Sequence, residues 1–198
     1  MADAIITKEC LRILGTISLR PHSNIIDLPD TIWRTLCADR DEKGDPAPRF
    51  YRVAMLHLLQ ISTVPLGPED AGLDLLDSMS SIDTEELLGN ETPNHVKTFL
   101  TVIRDITWKR RTFRSKVNDH AERFLVGLAP PDAKVGDQVC VLYGCSVPVI
   151  LRRLAVSEGK LCWKLVGDAY VHGVMDGEAI RDASSEELGT REQDFEIR

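Results

Sequence analysis

The chain has 198 residues, of which 43% are hydrophobic and 28% are charged, so it is long enough to bury a core as one domain or two small ones. Its 31 acidic side chains outnumber the 24 basic ones and give a net charge of −7. An excess of negative charge argues against a nucleic-acid backbone or an anionic membrane surface as the main partner. We therefore expect a folded globular protein whose main partner is neither of these.

The N-terminal residues lack the features of a targeting segment. Residues 1–4 carry no basic region, and Lys8, Glu9 and Arg12 interrupt the apolar stretch of residues 5–19. A signal peptide or a membrane helix requires a longer uninterrupted apolar run. We therefore expect a cytoplasmic protein that does not bind membranes.

Cysteine usage indicates the same compartment. The five cysteines are an odd number without a CxxC pair, and they are Cys10, Cys37, Cys140, Cys145 and Cys162. This pattern is typical of reduced intracellular thiols and not of a disulfide framework. Zinc-ligand spacing is also missing, and we expect no metal and no other cofactor.

The first element that the sequence predicts is a β-strand. Apolar and polar side chains alternate with a period of two between Cys10 and Arg20, with Leu14 as the one exception. We expect this segment to join the sheet formed by the C-terminal half.

Helices are predicted after this strand. Asp30 is expected to cap a short helix over residues 31–37, and a charged loop over residues 40–48 leads to a second helix over residues 49–61. The second helix is apolar on most sides, which predicts a nearly buried position.

Two further helices are predicted before the basic residues that begin at Lys109. Residues 69–79 are acidic with a few leucines and predict a weak helix. Thr92 as the cap and Pro93 as the first helical residue predict a clear one that ends at Ile106 or Thr107. Apolar side chains recur there at helical spacing.

The C-terminal half has the pattern of short strands. They are predicted over residues 138–143, 148–154 and 161–166, and the third resumes over residues 169–172. Gly167 and Asp168 interrupt this last run, which predicts a β-bulge or a sharp bend.

These elements predict an α+β fold in one cooperative unit. Residues 1–108 form a mainly helical part with a possible N-terminal strand, and residues 109–182 form a small β-rich part. We expect the helical part to pack on a small, curved, mostly antiparallel sheet or partial barrel. Residues 183–198 read as a polar, net-acidic tail that is frayed.

Three ordered blocks of sequence resemble a known family. They are TIWRTLCADR over residues 31–40, GDQVCVLYG over residues 136–144 with PVILR over residues 148–152, and LVGDAYVHGVMDGEA over residues 165–179. They are similar to "WRTL-x-AD", "GD-x-VCVL-x-G … P-x-x-LR" and "LVGD-x-YVHG-x-MDGEA" in the C-terminal region of fungal heterokaryon-incompatibility (HET) proteins. One departure is Gly127-Leu128-Ala129-Pro130, where the family has a loop ending in Gly-Leu-Gly-Pro.

The resemblance implies a function without catalysis. The HET domain, which is similar to TIR domains and lies N-terminal in the family, has a "WID-x-x-CI-x-Q" motif that this sequence does not contain. The resemblance therefore implies a non-catalytic accessory or regulatory module of allorecognition and regulated cell death. Its expected partner is a protein, either one with a HET domain or a second copy of the chain.

The third block holds the candidate site residues, as a signature loop that is either structural or ligand-binding. They are Gly167, Asp168, Tyr170, His172, Gly173, Met175, Asp176, Gly177 and Glu178. An alternative hypothesis makes Asp168, His172, Asp176 and Glu178 the metal site of an enzyme. We favour the structural interpretation, because short carboxylates beside glycine turns usually accept backbone hydrogen bonds.

Two other groups offer alternatives. The basic residues from Lys109 to Lys116 form a candidate nucleic-acid site, although a solvated helix C-terminus rich in cations explains them as well. Cys145 with His172 downstream has the residue types of a nucleophile pair but lacks the surrounding motif of such enzymes. We favour neither alternative.

Overall fold

A computed structural model describes residues 5–19, 25–63, 74–89, 91–117, 124–154, 161–181 and 192–198. Within these ranges the helices are α1 (Lys8–Leu14), α2 (Asp30–Leu36), α3 (Phe50–Ser62), α4 (Thr84–Gly89), α5 (Asn94–Thr107) and α6 (Glu178–Arg181). The strands are β1 (Ile5–Ile6), β2 (Ser18–Leu19), β3 (Ile26–Asp27), β4 (Ile82–Asp83), β5 (Arg111–Lys116), β6 (Phe124–Ala129), β7 (Gln138–Cys140), β8 (Val149–Arg153), β9 (Cys162–Asp168), β10 (Tyr170–Val171) and β11 (Glu196–Ile197). The α+β prediction is confirmed.

The helical part encloses the larger core. Trp33 of α2, Tyr51 of α3 and Phe99 of α5 are fully buried, and the rings of Tyr51 and Phe99 lie 5.0 Å apart. Aromatic side chains of this size contribute the largest buried areas of a core. The short pairs β1–β4 and β2–β3 lie at the margin of this part.

The predicted strand over residues 10–20 is wrong, because residues 10–14 belong to helix α1. The Thr7 hydroxyl accepts a hydrogen bond from the Cys10 backbone N–H and so caps the helix. Leu11 and Leu14 are three positions apart and are both buried on one face. The alternation of side chains concealed this helical spacing, and only Ser18 and Leu19 form a strand.

The predicted positions of helices α2 and α3 are confirmed, but the cap of α2 and the burial of α3 differ from the prediction. Pro29 occupies the N-cap of α2, and the Asp30 carboxylate accepts a hydrogen bond from the Trp33 indole at 2.9 Å. Helix α3 is not nearly buried, since Phe50 and Val53 are exposed by 40% and 55%. It packs against α5 and α2.

The next two predicted helices differ in outcome. Helix α5 is confirmed, although Thr92 donates to the Leu87 carbonyl and does not cap it. In the predicted helix over residues 69–79, positions 69–73 lie outside the described residues, and a single 3₁₀ turn follows over Leu75–Asp77.

Residues 109–116 do not extend helix α5. The chain turns at Lys109, which has a positive φ of 53°, and continues as strand β5. The interpretation of the basic cluster as a helix C-terminus is therefore wrong. Its last members lie on an edge strand, because β5 pairs with β6 alone in a sheet of order β10-β6-β5.

Two open sheets make up the β-rich part. The second has the order β11-β9-β8-β7, and it is antiparallel except for the parallel pair β11–β9. A cluster that includes Phe113, Ala129, Ile150 and Val171 lies between the two sheets. Neither sheet closes into a barrel within the described residues.

The predicted bulge is confirmed at the end of β9. Ile150 pairs with Gly167 whereas Leu151 pairs with Leu165, so one extra residue lies on β9. The chain then leaves the second sheet, and β10 pairs with β6 of the first. The bulge therefore redirects the strand from one sheet to the other.

The segment Gly127-Leu128-Ala129-Pro130 is not a loop. Its first three residues belong to β6, and a Cβ built on Gly127 would lie 2.0 Å from the Tyr170 carbonyl oxygen. Only glycine allows the β10 backbone to approach this closely.

The C-terminal residues are ordered at their end. Phe195 packs edge-on against Trp163 with ring centroids 5.2 Å apart, and β11 extends the second sheet. The prediction of a frayed tail is wrong for residues 192–198, while residues 182–191 lie outside the described ranges. The ring of Phe195 covers apolar surface that the second sheet would otherwise expose to water.

The helical and β-rich parts contact each other directly. Helix α1 packs on β5 and β6, and helix α2 packs on β6. Val126 of β6 contributes its side chain to the core of the helical part. Among the helices of the described ranges, none is both long and apolar enough to cross a membrane.

Candidate functional site

The first residues of the signature loop, Gly167, Asp168 and Tyr170, belong to β9 and β10, and the rest of it folds into consecutive tight turns after β10. The His172 N–H donates to the Val126 carbonyl at 2.9 Å, and the Val171 N–H donates to the Met175 sulfur at 3.4 Å. Gly173 and Gly177 have positive φ values of 72° and 84°. These turns need glycine, because the left-handed region penalises residues with a Cβ.

Asp168 is bound to a member of the basic cluster. Its carboxylate oxygen Oδ2 lies 2.5 Å from Nη2 of Arg110, and Nη1 of Arg110 also donates to the Asp168 backbone carbonyl at 2.8 Å. The guanidinium group therefore has an anchor that is independent of the carboxylate. This contact ties the turn after α5 to the bulge of β9.

Asp176 connects the third family-like block to the first. Its oxygen Oδ1 lies 2.7 Å from Nη2 of Arg40, whose Nη1 donates to the Asp39 carbonyl at 3.1 Å. The chain after α2 is strained at Ala38 and Asp39, which are not glycines and yet have positive φ values of 50° and 53°. An ion pair between Arg34 and Asp39 holds this strained turn in place.

Tyr170 and His172 lie beside this turn. The Tyr170 hydroxyl is 3.2 Å from Nδ1 of His172. Burial raises the pKa of Tyr170, and the carboxylate of Asp39 raises it further. Burial lowers the pKa of His172 below its usual 6.5, against the opposing effect of Asp39.

Glu178 serves the loop itself. Its Oε2 accepts a hydrogen bond from the Asp176 N–H at 2.7 Å, and Arg181 donates to the Asp176 carbonyl at 2.6 Å. The four candidate metal ligands thus have separate partners. Within the described ranges, His, Cys, Asp and Glu form no group of three that could hold a metal ion.

The second family-like block contains an ion pair that the sequence analysis missed. Asp137 accepts two hydrogen bonds of 2.8 Å from Arg152, one from Nε and one from Nη2. Nη2 also donates to the Asp132 carbonyl at 2.7 Å. The Asp137 side chain is only 7% exposed, and the hydrogen bonds from Arg152 lower its pKa. The bidentate geometry is that of a strong charge-assisted pair.

The pairs Arg40–Asp176 and Arg110–Asp168 flank a cavity of about 220 Å³. Its walls combine the two pairs' residues Arg40, Arg110 and Asp168 with apolar side chains of several elements: Ala38, Ile106, Leu128, Val147, Ala169, Tyr170 and Met175. Segments from or next to all three family-like blocks therefore meet at one cavity. The sequence analysis did not predict this, since the contributing segments are far apart along the chain.

Apart from Arg110, the members of the other candidate groups described next lie away from the cavity. Cys145 is exposed in the turn that follows β7. Arg111, Arg114 and Lys116 are exposed on the edge strand β5, where the guanidinium of Arg114 lies 3.9 Å from the Phe124 ring centroid. None of these four residues lines the cavity, whereas Arg110 of the same basic cluster does.

Residues 92–188 match the sequence model of the Het-6 beta-barrel domain. We call residues 92–188, which are similar to this domain, the Het-6 segment. The Het-6 segment includes α5 and strands β5–β10, and so also the second and third family-like blocks. The resemblance to the C-terminal region of fungal HET proteins is confirmed.

A curated relative supports the same assignment. The chain is 33% identical over 67 residues to heterokaryon incompatibility protein 6, OR allele, of Neurospora crassa. The aligned residues are 34% of this chain and only 10% of that relative. No solved structure matches the chain. The relationship of the Het-6 segment to fungal heterokaryon-incompatibility proteins thus rests on sequence.

Proposed function

We propose that the chain is a non-catalytic accessory or regulatory module of heterokaryon incompatibility that acts through protein contacts. The proposed partner is a HET-domain protein or a second copy of this chain, and the proposed setting is regulated cell death in the fungal cytoplasm. The Het-6 segment and the Neurospora relative support the link to incompatibility.

One observation carries the non-catalytic part of the proposal. The charged side chains of the signature loop are paired with groups of the protein itself: Asp168 with Arg110, Asp176 with Arg40, and Glu178 with the Asp176 N–H. A catalytic carboxylate needs access to substrate or metal as its main partner. The arrangement supports a scaffold that fixes the relative positions of the three family-like blocks.

The proposed contact with a partner protein is tested with the purified chain and a HET-domain protein from the same genome. We expect direct capture, or a dimer in light scattering coupled to size exclusion. The variant Arg104→Gln serves as a control, since it removes only an exposed pair with Asp105 and should bind equally. A monomer that captures no HET-domain protein of that genome would contradict the proposal.

The metal-enzyme hypothesis is tested by thermal unfolding with divalent cations and after chelation. We expect the variants Asp168→Ala, His172→Ala and Glu178→Ala to unfold at lower temperature, with no effect of cations on any of them. A cation-dependent rise in melting temperature that only these substitutions abolish would favour the enzyme instead.

A further inference from the structure

We propose that the cavity at the junction of the three blocks binds a small amphipathic carboxylate. Arg110 receives the anionic head, and the apolar body lies against Ile106, Leu128 and Met175. This site goes beyond the proposed protein contact, because it concerns a small molecule and not a partner surface.

The hydrogen bonds and the exposure of the Arg110 side chain support the binding of an anion at its guanidinium group. Its side chain is 28% exposed and is held by the backbone carbonyl of Asp168 through Nη1, whereas the Asp168 carboxylate on Nη2 is 60% exposed. The carboxylate can therefore turn into water and leave Nη2 to a ligand while the guanidinium stays in place. Guanidinium groups suit carboxylates, because their N–H groups match the two oxygens.

A second arginine adds positive charge to the same wall. Arg40 has the same arrangement, with its Nη1 on the Asp39 carbonyl and its Nη2 on the carboxylate of Asp176, which is 63% exposed. Asp168 lines the cavity whereas Asp176 does not, so Arg110 marks the place that a ligand anion could take and Arg40 adds positive charge beside it.

The other lining residues of the cavity indicate the size and polarity of the part of the ligand that lies beyond its carboxylate. Seven of the ten lining residues are apolar or aromatic, and the volume of about 220 Å³ is smaller than the roughly 300–1,000 Å³ of sites for drug-sized ligands. A fragment with one short apolar or aromatic body therefore fits, and a nucleotide is too large. Apolar walls with a few placed polar groups are the usual composition of ligand sites.

The experiment is an NMR titration of the full chain with phenylbutyrate, and with phenylbutanol as its neutral counterpart. We expect phenylbutyrate to shift amide signals of residues 106–110, 128 and 168–175, with a dissociation constant of roughly 2 mM or tighter for a ligand of this size. Phenylbutanol should bind at least about tenfold more weakly, because it lacks the charge. This comparison uses the unaltered chain and does not depend on the folding of a variant.

Two substitutions and one further probe complete the test. Arg110→Gln and Ile106→Trp, which fills the cavity, should each weaken phenylbutyrate binding at least about tenfold, and the control Arg104→Gln should not. Inorganic phosphate alone should bind more weakly than phenylbutyrate. The proposal fails if phenylbutyrate does not bind, if the alcohol or phosphate binds as tightly, or if folded Arg110→Gln and Ile106→Trp variants bind normally.

Discussion

Arg40 and Asp176 form an ion pair of 2.7 Å although 136 positions separate them along the chain. Arg40 is the last residue of the first family-like block, which contains most of helix α2, and Asp176 lies in the signature loop. The pair joins the helical part to the Het-6 segment at the edge of the cavity. Two blocks that each resemble a motif of the family, and that lie far apart along the chain, are thus in direct contact in the fold.

The coupling between Arg40 and Asp176 is measurable with a double-mutant cycle. Arg40→Gln and Asp176→Asn should each lower stability, and the double variant should lose less than their sum. The side chains are 34% and 63% exposed, so we expect a coupling of about 0.2–1 kcal/mol. Denaturant unfolding provides the four free energies, and strictly additive values would show that the pair does not form in solution.

The ion pair Asp137–Arg152 should contribute more to the free energy of unfolding than the pair Arg40–Asp176 does. Asp137→Asn leaves a 7% exposed amide in place of a carboxylate with two charge-assisted hydrogen bonds, and we expect a loss of about 2–3 kcal/mol. Asp105→Asn is the matched control, because its carboxylate is 63% exposed, and it should cost less than about 1 kcal/mol. Equal losses for the two variants in chemical denaturation would contradict the structure.

Gly127→Ala should prevent the native contact between β6 and β10. The added Cβ would lie 2.0 Å from the Tyr170 oxygen and 2.8 Å from the Phe113 ring, so backbone must move. We expect a loss of more than about 3 kcal/mol or failure to fold. Gly89→Ala is the control, since its Cβ meets nothing within 4 Å, and it should be neutral or slightly stabilising. Circular dichroism melting curves compare the two, and a well-folded Gly127→Ala variant of native stability would disprove the close approach.

Stability should decline on the acid side in two separate ranges. Burial lowers the pKa of His172 in the folded chain below the value of 6.5 that it has in the unfolded chain. As the pH falls below 6.5, the unfolded chain therefore binds a proton at this residue more readily than the folded chain does. Stability from this residue is therefore complete above pH 6.5 and falls as the pH drops through the lower folded pKa. His172→Gln should remove this decline, as measured by urea unfolding at a series of pH values.

The carboxylate of Asp137 should act at lower pH. Its folded pKa is lowered from 3.8 by Arg152, so its contribution is present above pH 3.8 and is lost as the pH falls through the folded pKa. Asp137→Asn should abolish this second decline while leaving the one near pH 6.5 intact. A single acid transition that neither substitution changes would contradict both assignments.

The sequence by itself determined the class of fold and several of the longer regular elements. Helices α2, α3 and α5 and the strands β7, β8 and β9 follow from local periodicity and end signals, which depend on neighbouring residues only. The blocks at residues 31–40, 136–152 and 165–179 also carry the resemblance to fungal HET proteins, which the match over residues 92–188 supports.

Only the tertiary structure decided how these blocks are used. The helix α1, the course of residues 109–116 as an edge strand, and the partners of Asp137, Asp168 and Asp176 depend on contacts between distant segments. A charged residue has the same local pattern whether it binds a metal, meets solvent or pairs with an arginine across the fold. The identity of its partner is set by packing, because burial and the approach of another segment determine which hydrogen bonds form.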